Sequence, residues 1–521
     1  MAVFFVKKRP RPGDQIGHPP SFMAFHHEEA LVCIGCYTSF DNLAHRPQGT
    51  PSDHSVHVLR FDPKSGTLSP LSVIDGVCNP AFLRYHPNGR LLYALTESIY
   101  ETGQVHAYAV DAAAGRLAPI AYQSAHGKST CYLSFDPNVQ RVLMVNYWDS
   151  ILAVCPLSEE GLVEPACAVL PPPAHVHCKC LADHLANRQS EPHMHAIVIA
   201  PIVGSSSSQS KTLAFVPDLG TDLIRFFSYD RHTGQLVAAG SVPCASEDEA
   251  SLTQVSHKSH TSLTQVSHTY FPSVTRPIFP RVTLPFFLYI SPTLLWTSQH
   301  GRPHGPRYIE FDARANTAYV VNELSSTVSV FSYDPAAAQA LAADPQMTQA
   351  TPVLTLVQQI STRETRRDDV RDGVPLLPTA ALRKNTCGRI CCDPSGTHVL
   401  VSNRGDDTIA CFKIVRESTR SKRPPSAAPS AAQPPTLKLV GITPTEGRTP
   451  RHFQFAGSRN VIVANQDSDS VCVFRFDPNS GTLEFTGCKY QVNSPSFVAA
   501  RCVSERAPLQ EKVVPSNSLE F

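Results

Sequence analysis

Arg307 and Glu323 sit at equal distances, eight residues each, from a turn centred near Ala315 in GPRYIEFDARANTAYVVNEL. In an antiparallel hairpin, the residue before the first strand and the residue after the second lie at the same end. The two are therefore expected to meet. The same rule brings His195 (PHMHAI), Arg404 (VSNRGDD), Arg451 (TPRHFQF), Gln466 (VANQDS) and Asn146 (MVNYW) to that end of their own hairpins. A histidine near neutral pKa can move a proton, and a guanidinium binds carboxylate or phosphate through a planar fork. Each residue also has a structural reading. An arginine at a strand start can pair with a nearby loop, and Glu323 can simply neutralise Arg307. His193 and His195 alternate along the chain, so one is expected to face the channel and the other to serve structure. Ion pairs made for stability have no reason to gather at one end, and this convergence favours an anion-binding pocket.

The elements that must position these residues repeat. A turn rich in Asp, Pro, Asn or Gly followed by alternating apolar residues recurs in HPNGRLLYALTES (86–98), DPNVQRVLMVNYW (136–148), SQSKTLAFVPDLG (208–220), DARANTAYVVNEL (312–324), DPSGTHVLVSNRG (393–405) and AGSRNVIVANQDS (456–468). LVCIGCYTSFD (31–41) is a seventh copy without the preceding turn. A second hairpin signature, as in VLRFDPKSGTLSPL (58–71) and VFRFDPNSGTLEFT (473–486), follows most copies. Each unit thus spells four short antiparallel strands, and radial repetition of such units makes a β-propeller. The fold expected is all-β, with seven four-stranded blades. The segment SPSFVAARC (494–502) is a strand without a partner, so the two ends of the chain should share a blade and close the ring. The expected domain is 31–502, interrupted by insertions at 246–302, 336–385 and 418–436, with an N-terminal extension (1–30) and a C-terminal tail (503–521). The first insertion contains a near-duplication, SLTQVSHKSHT and SLTQVSHTY, and is expected to be dispensable. Residues 336–352 and 418–436 are Pro/Ala-rich and are expected to be loops without structure.

Composition narrows the chemistry. The chain of 521 residues carries a net charge of +1, with no long basic stretch, so nothing calls for a nucleic acid or membrane partner. The N-terminus lacks the long apolar core of a secretory signal. The apolar stretch 279–297 is interrupted by an Arg and three prolines and is a poor membrane span. The 16 cysteines are scattered, several at apolar strand positions (Cys33, Cys155, Cys411, Cys472), as expected of reduced thiols in a cytoplasmic protein. His175, His177, Cys178 and Cys180 form one compact cluster without the paired spacing of a zinc site, so no metal and no cofactor is expected. There is no Gly-x-Ser-x-Gly nucleophile elbow. The partner expected is a small anionic molecule, and the chain a monomer or small homo-oligomer.

PHMHAIVIAP, FVPDLGTDLIRFFSYD, GPRYIEFDARANTAYVVNELSSTVSVFSYD, VSNRGDDTIACF and GRTPRHFQF with VIVANQDSDSVCVFRFDPNSGTL together resemble the lactonase, seven-bladed propeller family, across residues 31–245 and 303–502. That family includes propeller-type 6-phosphogluconolactonases and the carboxy-cis,cis-muconate lactonising enzyme. The resemblance implies metal-independent hydrolysis of a sugar lactone, 6-phospho-D-glucono-1,5-lactone foremost. The alternatives are a muconate lactonising cycloisomerase and a non-catalytic propeller scaffold. The family's pocket His, two Arg and Glu would correspond to His195 (or His193), Arg307, Arg404 and Glu323. In that reading His195 is general base on water, Glu323 its orienter or a proton shuttle, and the two arginines clamp substrate anion and transition-state charge. His193, Arg451, Asn146 and Gln466 are expected substrate contacts. The chain departs from the family at Tyr308, where a His is usual, and in the long segment before Gly305.

Overall fold

The computed structural model describes residues 29–172, 188–201, 210–245, 303–347, 351–364, 370–371, 374–375, 384–416 and 433–502. These form seven four-stranded antiparallel sheets, with a separate two-stranded pair at Val370–Arg371 and Val374–Pro375. Blades 2 to 7 begin at inner strands Pro80–Tyr85, Thr130–Phe135, Val198–Ile199, Pro306–Asp312, Thr386–Cys392 and Pro450–Phe455, and each proceeds outward in chain order. Blade 1 is made from both ends of the chain. Its inner strand Pro495–Cys502 pairs with Ala30–Cys36, in register from Ala30 opposite Cys502 to Gly35 opposite Phe497. The expected ring closure is therefore present, and its first strand begins at Ala30, inside the segment read as an extension.

Burial follows position in the blade. The second strands Leu91–Thr96, Thr317–Asn322 and Asn460–Asn465 are buried at every residue, since neighbouring blades cover both faces. The outer strand Thr482–Gln491 alternates between buried and exposed near its start, with one face toward solvent.

One expectation is corrected. Residues 336–352, read as an unstructured loop, contain all but the first residue of the helix Pro335–Ala343. Asp334 caps it by accepting from the Ala336 and Ala337 amides, and the proline stands in the first turn. Ala338, Leu341 and Ala342 are buried against the phenylalanine-rich core of blades 4 and 5. The run DPAAAQALAADP combined a cap with strong helix formers, which the proline content masked. Leu354–Ser361, also inside the supposed insertion, is the fourth strand of blade 5. The segments 246–302 and 418–432 lie outside the described residues, as do His175, His177, Cys178 and Cys180. Among the described residues no helix is long and apolar enough to cross a membrane.

Candidate active site

Two recurring positions build one end of the channel. The first is a bulge near the start of the inner strand. The ladder of blade 5 pairs Pro306 with Asn322 and Tyr308 with Val321, leaving Arg307 as the extra residue. Ala81, Cys131 and Arg451 are bypassed in the same way. A bulge re-aims the extra side chain, which is how Arg307 and Arg451 come to face residues of other blades. The second position follows the end of the second strand. Asn146, Asn322, Asn403 and Asn465 are fully buried there, and their side-chain amides donate locally, as Asn146 does to the carbonyls of Ala125 (2.8 Å) and Ile151 (3.0 Å). The next residue in each blade is Tyr147, Glu323, Arg404 or Gln466, with Tyr37 and Glu97 at the matching places in blades 1 and 2.

Glu323 is the centre of the first cluster. Its carboxylate meets Arg188 at 2.5 Å, Arg307 at 2.6 Å and Arg404 at 3.0 Å. Its side chain is 3% exposed. Burial alone would raise its pKa, but Arg404, Arg188 and Arg307 together hold it well below the usual carboxylate range. Burial among other arginines lowers the Arg404 guanidinium to about 10, still cationic at neutral pH. Arg404 also donates to the Cys387 carbonyl at 2.6 Å. Gly305 helps set this geometry. Its carbonyl accepts from the Glu323 amide at 2.7 Å, its φ is +64°, and a Cβ there would meet Leu324 at 2.6 Å.

His195 joins this cluster through Arg307, whose Nη1 hydrogen-bonds its Nε2. An arginine only donates, so Nε2 supplies the lone pair and the ring proton sits on Nδ1, 3.6 Å from Cys131 Sγ. Burial and the Arg307 charge push the imidazole well below its ordinary pKa. In this arrangement the lone pair that would take a water proton is held by a cation. His193 lies one step back. It stacks on Tyr147, with ring centroids 4.7 Å apart, and its Nδ1 meets the Tyr147 carbonyl at 3.1 Å.

The second cluster surrounds Glu97. Tyr37 donates to its Oε2 at 2.9 Å, Arg451 stands 3.6 Å from the same oxygen, and His45 Nδ1 is 3.9 Å from Oε1. His45 Nε2 contacts Gln466 Oε1 at 3.3 Å. Arg451 and Gln466, both predicted, are thus on the rim but gathered around a carboxylate that was not. The two clusters stand at the same end of the ring, since Arg307 and Arg451 are the bulged residues, and Glu323 and Gln466 the residues after the second strand, of their blades. Under them the inner strands supply an aromatic floor, including Tyr132 against Phe82 (5.0 Å) and Tyr308 (5.5 Å). Tyr308 is 5% exposed and carries the guanidiniums of Arg307 and Arg389 on its ring.

Of the predicted residues, His195, Arg307, Glu323, Arg404, Arg451 and Gln466 converge on this basin and His193 backs it. Asn146 does not line it. Its amide oxygen accepts from Thr130 at 2.7 Å and its nitrogen is committed to backbone, so Asn146 binds strands together, and Tyr147 beside it is the pocket residue. Sequence reasoning missed Arg188, Glu97, Tyr37 and His45. Glu97 carried a signal, since in the repeat HPNGRLLYALTES (86–98) it stands where Glu323 stands in DARANTAYVVNEL (312–324). Arg188, in a helical segment, and His45, on a loop, lie outside the repeat and carried none. Gln189 pins Arg188 in place by donating to the Leu219 carbonyl (2.9 Å) and Asp222 (2.8 Å). Among the described residues no group of His, Cys, Asp and Glu is arranged to hold a metal ion.

A closed ring of seven blades with arginines and carboxylates gathered at one mouth defines a propeller with a polar central pocket. The profile of the family described as "Lactonase, 7-bladed beta-propeller" matches residues 31–249 and 297–500, and the chain belongs to that family. A protein of Formosa agariphila named 6-phosphogluconolactonase is 23% identical over 445 residues, which span 85% of this chain and 94% of the relative. One of Bacillus subtilis with the same name is 24% identical over 444 residues, 85% of this chain and 93% of that one. The solved structure of a periplasmic gluconolactonase from Pseudomonas aeruginosa is similar in fold, with a TM-score of 0.59 at 22% identity, covering 91% of this chain and 99% of the other.

Proposed function

We propose that this protein hydrolyses a phosphorylated sugar lactone, with 6-phospho-D-glucono-1,5-lactone as the substrate that fits best, in a reducing cytoplasmic setting and without a metal. The observation that carries the reading is the charge of the basin. Four guanidiniums (Arg188, Arg307, Arg404, Arg451) face two carboxylates (Glu97, Glu323), and both His195 and His45 are held neutral. The excess of two positive charges matches the dianion of a phosphate monoester. Moreover, the Nε groups of Arg307 and Arg404 have no acceptor among the described residues, so the cluster holds more donors than the protein satisfies. Glu323 keeps the three arginines together against their mutual repulsion. Arg307 and Arg404 would then stabilise charge on the carbonyl oxygen as the tetrahedral intermediate forms, an interaction that a dry pocket strengthens. Arg188, the most exposed of the three at 33%, would meet the phosphate at the mouth. The names of the two bacterial relatives support this reading. A dicarboxylate would suit the same excess of charge, so a carboxylated muconolactone is the second compound to try.

Acid release measured in a pH-stat, with EDTA present and spontaneous hydrolysis subtracted, tests the proposal. Turnover of 6-phosphogluconolactone should persist in EDTA. Its kcat/KM should exceed that of unphosphorylated gluconolactone by roughly 10- to 100-fold, the worth of one or two charge-assisted hydrogen bonds. Arg404→Ala should lower turnover by about a hundredfold or more. Equal turnover of the two lactones, or none above the spontaneous rate, would reject it.

A further inference from the structure

We propose that His45 and Glu97 hold the attacking water and that His45 Nδ1 is the group that takes its proton. The inference rests on the lactonase reading and deepens it. Hydrogen-bond logic fixes the His45 tautomer. The Gln466 amide nitrogen donates to Asp467 Oδ1 at 2.9 Å, so its oxygen is the atom that faces His45 Nε2 at 3.3 Å. That oxygen can only accept, so Nε2 carries the ring proton and Nδ1 is a bare lone pair. Nδ1 in turn faces Glu97 Oε1 at 3.9 Å, and a carboxylate also only accepts. Two acceptors therefore converge on one point, and among the described residues no donor hydrogen-bonds either atom. A molecule with two O–H groups to give, water, satisfies both. The contrast with His195 is direct, since there Arg307 holds the lone pair. His45 keeps 30% side-chain exposure, so water can reach it, and the Tyr37 ring packs edge-on against it at 5.2 Å.

The steps balance. Water oxygen bonds to the lactone carbonyl carbon while one of its protons passes to His45 Nδ1. The imidazolium so formed keeps its Nε2–H on Gln466 and gains attraction from Glu97. The oxyanion rests against the arginines. Its collapse breaks the ring C–O bond, and the departing alkoxide takes the proton back from His45. Around His45 stand Glu97, Gln466 and the Tyr37 ring, and the charges of Arg451, Arg404 and Arg307 act on it. Burial and the three arginines lower its basicity well below the ordinary histidine range, which keeps it unprotonated at neutral pH.

Steady-state hydrolysis of 6-phosphogluconolactone between pH 5 and 8 tests the assignment, with thermal melting as a control of folding. His45→Gln should lower kcat by about a hundredfold with little change in KM, as expected for loss of a general base. Glu97→Gln should move the acid limb of kcat/KM to lower pH, because the carboxylate favours the protonated ring. A His45→Gln enzyme with wild-type kcat and an unaltered acid limb overturns the proposal and leaves the lactonase reading standing. A wild-type chain that accelerates no lactone opening sinks that reading instead. The ring 15N shifts of His45 give a measurement that needs no variant, and a proton on Nδ1 in the free protein overturns the proposal.

Discussion

Replacing Glu323 by Gln tests the electrostatic design of the pocket through stability. The carboxylate has contacts of 2.5, 2.6 and 3.0 Å to three arginines at 3% exposure. At an effective dielectric constant of about 20, unit charges ~4 Å apart attract by about 4 kcal/mol. Three such pairs amount to roughly 12 kcal/mol in the same approximation, set against repulsion among the arginines and the desolvation of all four groups. Removing one member of a single buried pair costs about 3–5 kcal/mol in practice. Glu323→Gln strands three cations. Arg188, a third exposed, can relax outward, and so we expect a loss of about 5 kcal/mol at pH 7, on the order of 10³- to 10⁴-fold in the unfolding equilibrium. The pH dependence has a definite sign. The folded pKa of Glu323 is depressed, so its contribution is complete above the unfolded value of about 4.3 and fades as pH falls toward the folded one. Urea unfolding of both proteins at pH 7 and at successively lower pH measures this. Equal midpoints at pH 7, or a gap that widens in acid, would refute the reasoning.

Arg188→Ala should raise KM for the phosphorylated lactone by roughly 10-fold or more while leaving the unphosphorylated one within about twofold, read by paired initial rates. Asn146→Ala should destabilise the fold by about 1–3 kcal/mol, through the unsatisfied carbonyls of Ala125 and Ile151, with KM unchanged. A raised KM at undiminished stability would return Asn146 to the substrate. Asn403→Ala should behave alike, since its amide nitrogen donates to the Thr362 carbonyl at 2.9 Å. A chain ending before Pro495 loses the inner strand of blade 1. Its open edge should give aggregation in light scattering and no cooperative melt.

The strands, turns and blade count were legible because they are written locally. Period-2 alternation and Asp/Pro/Gly turns need no knowledge of distant residues, and the ends of the chain declared themselves as two halves of one blade. The hairpin rule also paired Arg307 with Glu323 correctly, because both belong to one local unit. The helix at Pro335–Ala343 was locally written too and was lost only by reading composition before pattern. What tertiary structure alone decided was of two kinds. A bulge shifts register by one residue, and one residue decides which side chain faces the channel. This is how Arg307 and Arg451 come to face residues of other blades, whereas Asn146 and Glu97 were misjudged at strand ends that the repeat itself aligns with Glu323. His45 and Arg188 come from connections between strands whose course depends on the blades they cross, so no repeat marks them. Their partners lie far along the chain, Gln466 being 421 residues from His45 and Glu323 135 from Arg188. Secondary structure follows from short-range sterics and alternation, whereas the direction of a lone pair in a pocket is set by the whole closed ring.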